Sequence, residues 1–186
     1  ARRLVYAAPM RVLVESITDD IARARDNLGL TDELPILQLM GGSLSSEDIG
    51  SWRVSMDSES IVVGTVDQIV SRQLMRGYGA GRGTYPMDFA LVTNGAHVVV
   101  DEIQLCGQAT STARQIAAFQ RRAGWETAEP VGLTCLSATI EPAYLDTVDN
   151  PFTGQTVRLG ESDRSASLAK RLDATRRVTQ VTGDTK

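Results

Sequence analysis

Apolar residues fall in short aliphatic or β-branched runs separated by longer stretches of three-and-four spacing, which predicts strands alternating with helices. Leu4 to Ala8 reads as a strand ended by Pro9. Arg11 opens a helix whose apolar positions are Leu13, Ile17, Ile21, Ala24 and Leu28, with Gly29 placed to cap it. Pro35 precedes a second strand, Ile36 to Met40, which runs into Gly41 and Gly42. Residues 43–60 are polar and serine-rich and read as a loop anchored by Trp52, with room for one short turn of helix. A third strand, Ile61 to Val63, leads to Thr65 and Gln68, the spacing of a capping box. The helix behind it buries Val66, Ile69, Val70 and Leu74 and turns Arg72 and Arg76 outward. Gly77 to Pro86 is a glycine-rich loop, and Phe89 to Val92 is apolar but fits either type of element. Val98 to Val100 is a buried strand. A helix starting at Thr110 to Thr112 places Ala113, Ile116, Ala117 and Phe119 inward, with Arg121 and Arg122 at its negative end. Gly132 to Leu136 is a further strand that exits through Ser137, Ala138 and Thr139. Pro142 suits the first turn of a short helix, and Thr156 to Leu159 suits a last strand. From Glu161 onward the chain is charged and weakly patterned, as in a linker.

This order implies an α/β fold, a parallel sheet with helices on both faces. Ligands of open parallel sheets bind beyond the carboxyl ends of the strands. Pro9-Met10-Arg11, Gly41-Gly42, Thr65, Asp101-Glu102 and Ser137-Ala138-Thr139 each follow a strand, so one edge of the sheet gathers them all. Asp101 and Glu102 end the valine run as adjacent carboxylates. One acid can hold hydrated magnesium and the other orient an attacking water, as phosphoryl transfer requires. Gly42 lets a backbone approach a ligand closely, Thr65 stands where a helix N-terminus favours phosphate, and Arg11 offers a fixed charge. Such a row suits the backbone of a single nucleic-acid strand. Every group also has a purely structural explanation: Thr65 as a cap, the two glycines as a turn, Ser137 to Thr139 as a strand exit, Arg11 as a solvated residue, and the acids as a strand meeting water. His97 stands alone and reads as structural, since it has no partner for a metal or a triad.

Composition adds boundaries. With 186 residues, 42% hydrophobic and 23% charged, the chain suits one globular domain. A net charge of −4 gives no global basic signal, so nucleic-acid binding would rest on local groups. Two cysteines, Cys106 and Cys135, are too few for a disulfide framework; Cys135 reads as a core thiol, and a reducing cytoplasm fits. No apolar run is long enough to span a bilayer.

Taken in order, Ala8-Pro-Met-Arg-Val-Leu13, Gly41-Gly42, Val63-Gly-Thr-Val-Asp67, Val100-Asp-Glu-Ile-Gln104 and Leu136-Ser-Ala-Thr139 resemble the successive motifs of the first RecA-like motor domain of a superfamily 2 helicase. The segments Ser71 to Gly79 and Asp101 to Gly107 resemble the helicase portion of the CRISPR-associated helicase–nuclease of type I systems, with the type I-G (I-U) branch nearest. The resemblance covers about residues 2–160, leaving 161–186 as a linker or the start of a connection to a second motor domain. It implies a motor that hydrolyses ATP with Mg2+, moves along single-stranded DNA, feeds a nuclease and is recruited by an RNA-guided surveillance complex. By motif, Asp101 would hold the metal and Glu102 would activate water. Gln104, Ser137 and Thr139 would complete the nucleotide side and couple hydrolysis to movement. Arg11, Gly42, Thr65, Asp67 and Arg72 would lie along the DNA.

The chain departs from that family in having no Gly-x-x-x-x-Gly-Lys-Ser/Thr loop, and neither a second motor domain nor a histidine-rich nuclease site. It therefore reads as a segment of a longer protein, with an incomplete sheet whose phosphate-loop strand should lie beside the carboxylate strand. On its own it is expected to be marginally stable and to lack ATPase activity. The alternative is a non-catalytic module that binds nucleic acid or docks on a partner after losing its phosphate loop. A Rossmann-like domain is disfavoured, because no Gly-x-Gly-x-x-Gly follows the first strand.

Overall fold

A computed structural model describes residues 2–41, 46–54, 57–122, 124, 126, 128–139, 144–148, 150–158 and 160, with scattered positions beyond (163, 165, 169, 170, 173 and 174). The chain divides into two units, Ala1–Phe152 and Thr153–Lys186. All the regular elements named below belong to the first: β1 (Arg3–Ala8), α1 (Arg11–Asn27), β2 (Ile36–Leu39), α2 (Ser46–Val54), β3 (Ser60–Thr65), α3 (Val66–Gln73), α4 (Tyr85–Thr93), β4 (Ala96–Val100), α5 (Gln108–Phe119) and β5 (Gly132–Cys135).

The strands form one sheet in the order β2-β3-β1-β4-β5, and every neighbouring pair is parallel. This is an α/β fold of the kind found in RecA-like helicase domains. The register aligns the strand ends: Ala8 lies beside Thr65, Ala7 beside Val100, Leu39 beside Gly64 and Val100 beside Cys135. Val5, Ala7, Val62, Val98 and Val100 form the larger core with residues of α3, α4 and α5. On the opposite face Leu13, Val14, Ile17 and Ile21 of α1 pack on Tyr6, Ala8, Ile61 and Val63. The three-and-four spacing of α1 is realised as far as Ile21: Val14 is buried and Leu13, Ile17 and Ile21 are half-buried. Ala24 and Leu28 are exposed, against the expectation, and Gly29 follows the helix at φ +72°.

Several expectations need correction. The carboxylate strand β4 is flanked by β1 and β5 along its length, so no gap lies beside it; among the described residues the sheet ends at β2 and β5. Residues 46–54 are helical, and Trp52 is buried as expected of an anchor. The apolar segment around Phe89 is the helix α4, entered through Pro86 in its first turn. Phe119 is 44% exposed, and Arg114 takes the inward place on α5, its guanidinium 5.4 Å from the ring of Phe152. Cys106 is the buried thiol, while Cys135 is only half-buried on the edge strand. Thr156 to Arg158 form no strand, and the positions of Pro142 and Leu159 lie outside the described residues.

Candidate functional site

Parallel strands in matched register bring their exits to one rim. β1 delivers Pro9, Met10 and the exposed Arg11; β2 delivers Gly41; β3 delivers Thr65 and, in the first turn of α3, the exposed Asp67; β4 delivers Asp101 and Glu102; β5 delivers Ser137. Gly42 lies outside the described residues.

The acid pair is held closely. The Asp101 N–H donates to the Ala7 carbonyl at 2.9 Å, tying the strand end to central β1. Its carboxylate accepts twice: Oδ1 from the Glu102 N–H at 2.8 Å and Oδ2 from the Tyr6 hydroxyl at 2.9 Å. Glu102 adopts the left-handed conformation (φ +49°, ψ +50°), which breaks the strand and turns the chain into a short 3-10 turn, Ile103–Leu105. That turn lets the Gln104 amide donate back to Glu102 Oε2. Beneath it, the Cys106 thiol faces the carbonyls of Asp101 and Glu102 at 3.4 and 3.6 Å. Burial, reinforced by the nearby Asp101 charge, pushes this thiol up to about 11, so it stays a neutral donor at neutral pH. Burial first, and then the bond to Asp101, raises the Tyr6 phenol well above its ordinary value.

The β5 exit is clipped to the same loop. The Leu136 N–H donates to the Val100 carbonyl at 2.8 Å, and the Ile103 N–H to the Leu136 carbonyl at 3.1 Å. Ser137 Oγ then lies 2.7 Å from both Gln104 Oε1 and the Thr139 carbonyl oxygen. One hydroxyl proton serves only one acceptor at a time, so Ser137 can join the acid loop or close on its own turn. Asp101, Glu102, Gln104, Ser137 and Thr139 therefore form one connected group.

Two sequence-based assignments change. Thr65 has extended backbone at the start of α3 but makes no side-chain cap, and the Gln68 side chain bonds elsewhere. Gln68 Oε1 and the Gln68 carbonyl both accept from Arg72 Nη1. Arg72 is 1% exposed and points away from solvent, against the outward face expected of a DNA contact. Its counter-ion is Asp88 on α4, also 1% exposed, with Arg72 Nε 3.6 Å from Oδ2. Asp88 in turn accepts two bonds from Arg53 of α2, at 2.7 and 2.9 Å. His97 is structural as expected: its Nε2 pairs with Thr134 Oγ1 at 2.8 Å, and its ring lies so close over Gly132 that a Cβ there would sit 2.5 Å from Nδ1. Sequence reasoning missed Tyr6, whose one available signal is a single hydroxyl among the apolar residues Leu4 to Ala8.

The donor set fits a hydrated magnesium ion held by one carboxylate, with nucleotide phosphates supplying further oxygens. Each oxygen of Asp101 accepts one protein hydrogen bond and so keeps a lone pair free. Among the described residues no cluster of three or more His, Cys, Asp or Glu could form a protein-only metal cage.

Among solved structures the chain resembles the crystal structure of the DUF1998 helicase MrfA bound to DNA and AMPPNP. The TM-score is 0.52 at 16% identity, over 74% of this chain and 18% of that one. At that identity the likeness is one of fold, and this chain spans about a fifth of the helicase it matches. No protein-family profile matches the sequence. No curated protein matches it either. No described helix is long and apolar enough to cross a membrane.

Proposed function

We propose that this chain is part of the first RecA-like motor domain of an ATP-dependent helicase that moves along single-stranded DNA. The observation that carries this is the connected group at the strand-end rim, in which Asp101 is bonded to β1 and Glu102 is joined through Gln104 to Ser137. In this reading Asp101 holds magnesium through water, and the metal supplies charge neutralisation at the phosphates when nucleotide is bound. Glu102, tethered by Gln104, orients the attacking water and takes its proton. Ser137 and Thr139 sense that exchange through the shared hydroxyl proton. Arg11, Gly42, Thr65 and Asp67 line the DNA side, and Arg72 supports that side from within, through α2 and α4.

The finer reading is a CRISPR type I helicase–nuclease, close to the I-G branch, working in interference beside an RNA-guided surveillance complex; the motif wording of Ser71 to Gly79 and Asp101 to Gly107 supports it. The test is phosphate release by the complete gene product with single-stranded DNA. DNA-stimulated turnover lost in Glu102→Gln is expected; turnover that survives this change would remove the acid pair from the reaction. The 186-residue chain alone should show no turnover, since it contains no Gly-Lys-Ser/Thr loop to grip the phosphates. That same feature favours a second reading, a nucleic-acid-binding or docking module. A Gly-Lys-Ser/Thr after a strand, encoded upstream of Ala1, decides for the motor.

A further inference from the structure

We propose that Tyr6 is a positioning residue for the acid pair, fixing the carboxylate of Asp101 in the orientation that holds the metal. The inference rests on the reading of Asp101 as the magnesium residue and adds a second strand to that site.

The geometry comes from the sheet. Tyr6 on β1 is in register with Val99 on β4, and Asp101 follows two residues later on the same face. Asp101 is therefore a diagonal neighbour across the parallel pair, within the reach of a phenol and beyond that of a serine or threonine. Tyr6 donates to Oδ2 at 2.9 Å, while the Glu102 N–H holds Oδ1 at 2.8 Å. A carboxylate at a strand end is otherwise free to turn about its last torsion. Two donors from different directions, one on each oxygen, remove that freedom and leave one lone pair on each oxygen for water bound to a metal. The ring of Tyr6 is itself held by the apolar cluster beneath α1, so its hydroxyl is set by packing. β1 then runs within three residues into Pro9 and the start of α1, so the strand that fixes Asp101 also carries Arg11 to the rim.

Tyr6→Phe removes one oxygen and keeps the shape. In the complete gene product with a non-hydrolysable ATP analogue, Mn2+ binding read by electron paramagnetic resonance should weaken about tenfold, the scale seen when a metal residue loses its outer hydrogen bond, and the magnesium concentration for half-maximal DNA-stimulated ATPase should rise in step. At saturating magnesium, kcat and the KM for ATP should return to the parent values. A uniform fall in kcat at every magnesium concentration would make Tyr6 merely structural and overturn the proposal, as would an unshifted magnesium curve. Asp101→Asn separates the two levels. If it abolishes turnover while Tyr6→Phe leaves the curve in place, only the role of Tyr6 fails. If Asp101→Asn is fully active, the acid-pair reading fails and Tyr6 with it.

Discussion

Glu102 shows how a single residue can be costly to the fold and useful to the site. A non-glycine residue in the left-handed region carries a penalty of about 1 kcal/mol or more, and asparagine visits that region more readily. Here the conformation ends β4 sharply, hands the Glu102 N–H to Asp101 Oδ1 and turns the Glu102 side chain back to Gln104. Glu102→Asn should therefore stabilise the chain by about 0.5–1 kcal/mol in urea unfolding, while removing the longer carboxylate. A variant less stable than its parent would show that the residue is not strained in solution. At this scale the sequence was legible where chemistry is local: adjacent acids after a valine run, and a serine after a strand, both lie where their positions in the chain imply. Tyr6 was not legible, because its partner is 95 residues away and the contact depends on the register of β1 against β4.

Helix ends and helix contacts follow the same division. α1 and α3 close with the same motif. In α1 the N–H groups of Gly29 and Leu30 return to the carbonyls of Asp26 and Arg25, at 3.0 and 3.1 Å. In α3 those of Met75 and Arg76 return to Arg72 and Ser71, at 3.0 and 2.7 Å. The turn needs a positive φ, which Gly29 adopts at +72° without strain and Met75 adopts at +54° with it. Met75→Gly should stabilise by about 1 kcal/mol and Gly29→Ala should destabilise by a similar amount. Changes of the same sign at the two sites, read by thermal unfolding, would contradict the shared geometry. The end of α1 was readable because its glycine is explicit. α3 misled because its eight residues are enclosed on almost every side, so its polar residues face neighbours rather than water. Arg72 could not be placed without Asp88, which belongs to a helix whose uniformly apolar segment lacks a telling period. Asp88 now serves two guanidiniums, Arg53 on α2 and Arg72 on α3. Asp88→Ala leaves both without their carboxylate, one of them fully buried, and should cost about 3–5 kcal/mol in denaturant unfolding. A loss below about 1 kcal/mol would mean that packing, not charge, holds these helices together.

At the scale of the whole molecule, parallel pairing does most of what the functional reading requires. It was foreseeable from the alternation of strand and helix, and it brings residues from Pro9 to Ser137 to one rim. Strand order was not foreseeable, since the hydrophobic period fixes which residues face a core but not which strand lies beside which. The order leaves β5 with β4 as its one strand partner among the described residues. The Leu136 N–H and carbonyl both point to the β4 side, as their bonds to Val100 and Ile103 show. Backbone groups alternate in direction along a strand, so Thr134 also faces β4, while Leu133 and Cys135 direct theirs to the free edge. An unpaired edge of this kind is a template for another strand. In dilute solution of the 186-residue chain, amide exchange should therefore be fast at Leu133 and Cys135 and slower at Thr134 and Leu136. Protection that grows at Leu133 and Cys135 with protein concentration would identify β5 as the seam of self-association. Strong protection of the same two amides at the lowest concentration would mean that the edge is already covered, and β5 would cease to be the open side of the sheet.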